Sequence, residues 1–296
     1  MATTSSDLAF EPKVWQDHAN AYFRQKLVWG SLALIDPTLT SEPGETVTFP
    51  YYKTIGAATE PGENDVVIPD ALQDDSFSCT VKEVAKAVSF KRKAKIVSGD
   101  RNPNGLEEES ARQIARRHAE KVDADLVTLI NTAGSYEDGF IATADGQNMN
   151  IRDLNASRID VFGDLHDEAQ AVIMHSKSYL ALINDTTSGF LKADANDPLY
   201  TVPGFQGRIL GMAVIVNDQA PAGADISGKA SHYSFLMKAN PYGICLKAAP
   251  DVETDRDILA REDIIIGTQW YGTVGFHAKI STQDFKVARM LTQDLS

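Results

Sequence analysis

Cysteine is scarce in this chain of 296 residues. Cys79 and Cys245 are its two, and their separation matches neither a metal-binding nor a redox motif. Both are expected to be reduced and half-buried in strands. Long apolar runs are missing too. Leu27 to Ile35, broken by Gly30 and Ser31, is too short to cross a bilayer. The N-terminal MATTSSDLAFEP has no basic stretch followed by an apolar one, so a soluble protein made in the cytosol is expected. The sequons at Asn155 and Asn184 then carry no meaning. Positive charge is in deficit: 28 Lys and Arg against 41 Asp and Glu give a formal net charge of −13. That argues against a dedicated nucleic-acid binder or a basic membrane-surface protein, though not against a container whose inner wall faces nucleic acid without gripping it.

Recognisable catalytic signatures are also lacking. The six histidines form no HExxH, there is no GxSxG elbow, and neither cysteine lies in a nucleophile signature. His166, Asp167 and Glu168 read as a helix end. Gly223 to Ala230 has the glycine and lysine spacing of a phosphate-binding loop. However, Ala230 stands where the Mg²⁺-ligating hydroxyl belongs, and Asp225 would repel a phosphate. Asp251, Glu253, Asp255, Asp257 and Glu262 approach calcium-loop spacing, yet Arg256 sits where that loop needs glycine; a solvated acidic turn is expected. No catalytic, cofactor or metal site follows from these residues, and the chain reads away from enzymes.

What the sequence does have is one dominant helix. In GLEEESARQIARRHAEKVDADLVTLINTA (105–133), Ala111, Ile114, Ala115, His118, Val122, Leu126, Leu129 and Ile130 recur at steps of three and four on one face. Asn104 and Glu107 suit its start, and Gly134 follows as a stop. Ahead of it, Val14, Trp15, His18, Ala19, Tyr22, Phe23 and Leu27 predict an N-terminal helix with aromatics on one side. This helix is either an arm toward a neighbouring subunit or part of its own core. Between the two, residues 41–97 alternate as strands around a Gly-, Pro- and acid-rich tip, a hairpin-like excursion.

Charge along that excursion is uneven. Residues 41–75 hold eight acids, Glu60, Glu63 and Asp65 among them, and one base, Lys53. The following limb is densest in bases at Lys91, Arg92, Lys93 and Lys95. These lysines either keep an edge strand from aggregating or meet the acidic limb of another copy. After the long helix, SYEDGFIATADGQNMN reads as a loop. Residues 151–239 then alternate helix and strand as a compact α/β unit. The end turns to β: YGICLKAA, a turn around DVETDRD, then DIIIGTQWYGTVGFHAKI.

This order of elements resembles the major capsid proteins of tailed bacteriophages, the Hong Kong 97-type fold. The stretches most like that family are AEKVDADLVTLINTA and EDIIIGTQWYGTVGFHAKI. The resemblance implies an α+β subunit with an N-terminal arm (1–40), an extended β loop (41–98), a peripheral domain (99–150 and 240–296) carrying the spine helix 105–133, and an α/β axial domain (151–239). It implies hexamers and pentamers of an icosahedral head enclosing double-stranded DNA, with assembly in the host cytoplasm and a final place in the virion. Expected partners are other copies of the chain, a separate scaffolding protein, a portal, a possible decoration protein and DNA contacted non-specifically, with no membrane. Intersubunit contacts are expected from Trp15, Tyr22, Phe23, Lys53, Glu60, Glu63, Asp65, Lys91, Arg92, Lys93 and Lys95. Lys53 lies where some relatives crosslink a lysine, but nothing marks it as reactive. An encapsulin-like compartment shell shares the fold and stays open at this stage, as does a cytosolic α/β enzyme with an unrecognised site.

Overall fold

The computed structural model describes residues 27–53, 55–56, 58, 60, 69–91, 93, 105–132, 134–185, 191–192, 197, 200, 202–276 and 286–295. The long helix is α1, Gly105–Ile130, about 39 Å long at 1.5 Å per residue. Ala111, Ile114, Ala115, His118, Ala119, Val122, Leu126 and Ile130 are all buried along it, the face expected from their spacing. Its other side is laced by ion pairs, Glu109 with Arg112, Arg116 with Glu120 and Lys121 with Asp125. The helix stops three residues short of Ala133. Thr132 already bonds back only three residues, to Leu129, and Gly134 takes a positive φ of 94°, a backbone state open to glycine.

The first half of α1 lies on a four-stranded sheet, order β1-β11-β12-β4: β1 (Leu34–Asp36), β11 (Tyr242–Asp257), β12 (Glu262–Gly275) and β4 (Lys82–Lys91). Ile114 and Ala115 pack there against Val252 and Ile265, with Val88 and Phe90 at the margin. Gly267 of β12 makes the close approach possible, since a Cβ there would stand 2.4 Å from Ile114. Two expectations change here. The acidic DVETDRD is strand, not turn: Asp251 to Asp257 pair with Thr268 to Glu262, and Val252 is buried under α1. The turn is Ile258 to Arg261, where Arg261 has φ 53°. The basic limb, too, belongs to this sheet rather than to a free hairpin, because β4 pairs with β12 from Lys82 to Lys91. The remaining pair, β2 (Thr46–Tyr52) and β3 (Asp74–Thr80), forms a two-stranded antiparallel sheet of its own that packs on the four-stranded sheet through Cys79.

The second half of α1 covers one face of a seven-stranded mixed sheet, order β5-β13-β10-β6-β9-β8-β7. Val122, Leu126 and Ile130 pack there with Ile173, Ile215, Phe235 and Trp29. Helices α2 (Ile151–Phe162) and α3 (Ser176–Asn184) cover the other face, where Leu154, Phe162 and Leu182 meet Met174, Val214, Leu236 and Met290. Strands β6 (Ala171–Met174), β9 (Met212–Val216) and β10 (Ser231–Met237) are central. Both sides of such strands are covered, which explains continuous apolar runs such as AVIM and MAVIV.

This sheet reaches beyond residues 151–239. The segment read as loop contains β5 (Glu137–Ile141), and β13 (Val287–Gln293) runs parallel beside it and antiparallel to β10. The long connection after α3 likewise holds β7 (Leu191–Lys192) and the hairpin from β8 (Phe205–Ile209) to β9. Glycines, acids and short lengths hid these strands; pairing partners far along the chain create them.

Candidate intersubunit surface

The N-terminal segment joins the subunit at Trp29, which is fully buried and meets Phe235 edge-on at 5.7 Å between ring centroids. A short 3-10 turn, Trp29–Leu32, leaves backbone N–H groups pointing inward, and α1 supplies their acceptor. Asp123 accepts from the Val28 N–H at 2.9 Å and from the Gly30 N–H at 3.1 Å. The Tyr242 hydroxyl donates to the Trp29 carbonyl at 2.6 Å. Burial pushes the Asp123 carboxyl up to about 6 despite those backbone bonds, because desolvation penalises the charged form. Sequence reading weighed Leu27 to Ile35 only as an apolar run. A tryptophan beside a glycine was the available signal.

Two residues along α1, Asp125 ties down the return limb. It accepts from Lys82 and Lys121, both at 2.7 Å, and from the Tyr271 hydroxyl at 2.6 Å. Burial would raise this carboxyl, but those three donors together hold it below the usual range. Burial, then the hydrogen bond to Asp125, pushes the Tyr271 hydroxyl up. One helical turn therefore anchors the roots of both segments expected to reach neighbours.

Beyond its root, the β2–β3 hairpin ends in exposed apolar side chains. Tyr52 is 67%, Ile55 58% and Leu72 64% exposed. Gly56 N–H bonds the Asp70 carboxylate at 3.1 Å, drawing the two sides together. They line a shallow cavity of about 300 Å³ with Lys53, Ala71 and Gln73. Lys53 pairs with Asp75 of its own chain at 3.2 Å; the Ser76 N–H first, then Lys53, keep the Asp75 carboxyl low. Lys91 pairs with Glu262, also within the chain. Glu60 and Lys93 are exposed. Trp15, Tyr22, Phe23, Glu63, Asp65, Arg92 and Lys95 lie outside the described residues. A second apolar tip, absent from the sequence reading, is the β11–β12 turn, where Ile258 is 79% and Leu259 97% exposed.

One cluster has the composition of a metal site. His175 and His232 stack at 3.7 Å with planes 12° apart. His232 Nδ1 lies 2.9 Å from Asp294 and Lys177 Nζ lies 3.2 Å from the same carboxylate. Lone pairs in parallel ring planes do not converge on one ion, and the ammonium already occupies the carboxylate. The cluster neutralises a buried aspartate. Burial, then the neighbouring His232, lowers the His175 pKa.

The comparisons agree with this architecture. The chain is 27% identical over 243 residues to the major capsid protein of Staphylococcus phage phiMR11, spanning 82% of this chain and 83% of that protein. The capsid of Ralstonia phage GP4 matches over 100% of this chain and 96% of that chain at TM-score 0.69 and 12% identity. The cyanophage Pam1 capsid matches over 99% and 96% at TM-score 0.68 and 12% identity. No protein-family model matches the sequence. The fold is the Hong Kong 97-type capsid fold, and the class is that of structural shell proteins. Within that class the chain is a homologue of a phage major capsid protein: a capsid shell protein of the virion.

Proposed function

We propose that copies of this chain assemble as hexamers and pentamers into an icosahedral phage head around double-stranded DNA. The observation that carries this reading is the pair of protruding β tips, Tyr52–Ile55–Leu72 and Ile258–Leu259, which bear the most exposed large apolar side chains among the described residues. Exposed apolar groups gathered at protrusions mark surfaces that another protein covers. In this reading residues 1–40 are the arm and the β2–β3 hairpin within 41–98 is the extended loop across a neighbour; α1 with the four-stranded sheet is the peripheral part, and 151–239, joined in one sheet by β5 and β13, is the axial unit near capsomer axes. Because Lys53 and Lys91 are paired within their own chain, the apolar tips carry most of the binding. Glu60, Lys93 and the other charged candidates give screened contacts that let misplaced subunits leave.

A separate scaffolding protein, a portal and a decoration protein are the further partners. DNA faces the inner wall without sequence-specific contacts, and assembly takes place in the host cytoplasm. The relative spanning four-fifths of this chain is a phage protein, which favours a phage head over an encapsulin-like compartment. Negative-stain electron microscopy with light scattering, on the chain alone and with its scaffolding protein, tests the reading. Closed shells or five- and sixfold capsomers are expected. A small monomer or dimer even with scaffold would overturn it.

A further inference from the structure

The two cysteines meet inside the protein although their strands are not hydrogen-bonded neighbours. Cys245 of β11 lies opposite Gly272 of β12, and β3 crosses the sheet at that point. A Cβ on Gly272 would stand 2.5 Å from the Thr80 carbonyl oxygen and 2.7 Å from the Cys79 sulfur. The missing side chain leaves the opening through which Cys79 reaches Cys245. Both side chains are fully buried, packed with Val274 and ringed by Val47, Phe49, Phe77 and Phe276. Among the described residues no third sulfur, imidazole or carboxylate joins them closely enough to make a metal site.

We propose that Cys79 and Cys245 form an oxidisable pair that closes to an intrachain disulfide, fastening the β2–β3 hairpin covalently to the four-stranded sheet. The oxidant is a peroxide. One thiol attacks a peroxide oxygen and becomes a sulfenic acid, releasing one water. The other thiol then attacks that sulfur, its proton leaves with the hydroxyl as a second water, and the S–S bond forms. Two thiols and one hydrogen peroxide thus give one disulfide and two waters.

Among the described residues the hairpin has no ladder to either larger sheet, so this bond would fasten it across their packed faces. A particle outside a cell meets the oxidising conditions in which such bonds persist. The inference concerns the single subunit and does not depend on how shells assemble.

The test is hydrogen peroxide treatment of the full-length protein, then alkylation in denaturant and peptide mapping. The expected result is a peptide pair linked through Cys79 and Cys245 within one chain. The thermal midpoint should rise by about 5–10 °C, as expected for a bond closing a loop of roughly 165 residues, and dithiothreitol should reverse the rise. Cys79→Ser and Cys245→Ser should each remove both the linked peptide pair and the rise. Full alkylation of both thiols after peroxide, or links only between chains, would overturn the proposal. The wild-type mapping decides the matter even if a variant folds poorly.

Discussion

Asp123 provides a test of how the N-terminal segment is held. Its carboxyl stands near 6 rather than at its ordinary value of 3.8, so the folded protein holds a proton that the unfolded chain gives up. The folded form binds more protons between those values, and stability contributed by this group is full below about 4 and lost as pH rises through 6. The charged group therefore costs about 3 kcal/mol at pH 7 and about 0.5 kcal/mol at pH 4. Asp123→Asn keeps one oxygen for the Val28 N–H but turns an amide NH₂ toward the Gly30 N–H, a loss of about 1–3 kcal/mol at every pH. The variant should then be less stable than wild type at pH 4 and close to it at pH 7, the difference moving by about 2.5 kcal/mol. Denaturant titrations of both proteins followed by tryptophan fluorescence measure this directly, since Trp29 sits on the contact. Comparing the two cancels the opposite trend from carboxylates held low, such as Asp125 and Asp218. A difference that does not change with pH would refute the reasoning.

Three further outcomes are expected. Gly272→Ala should lower the thermal midpoint, because its methyl meets the Thr80 backbone at 2.5 Å; about 1–3 kcal/mol is expected, read by denaturant unfolding. Lys82→Ala should cost about 1–3 kcal/mol, since it removes a charged donor from the half-buried Asp125, and hydrogen exchange should quicken in β4. Replacing Ile55, Leu72 and Leu259 together by serine should change monomer stability by less than about 0.5 kcal/mol per site while abolishing shells in electron micrographs. Normal shells from that triple variant would remove the apolar tips from the interface.

The helix α1 was legible because its apolar residues repeat at a single period over seven turns, and local spacing alone decides which face is buried. AVIM and MAVIV were legible for a related reason: strands covered on both sides need apolar residues at every position. The excursion was legible in part. Its outward limb and tip were read from alternation and turn residues, while Lys86 and Arg92 gave no sign that β4 would pair with β12. The strands β5 and β13 were missed, because EDGFI and VARMLTQ acquire strand character only from each other and from β10. DVETDRD looked like a turn by composition, yet its pairing with β12 and the burial of Val252 under α1 hold it extended.

Local pattern thus determined the elements whose stability is local: the spine helix, the apolar strands and the solvent-facing charge. Tertiary structure decided everything that depends on close approach between distant segments. Asp123 was an ordinary acid until the Val28 and Gly30 amides came within 3.1 Å of it. Cys79 and Cys245 were unrelated until a missing side chain at Gly272 let two strands cross. Such contacts leave no period in the sequence, because each is made once, between residues whose separation along the chain carries no information about their distance in space.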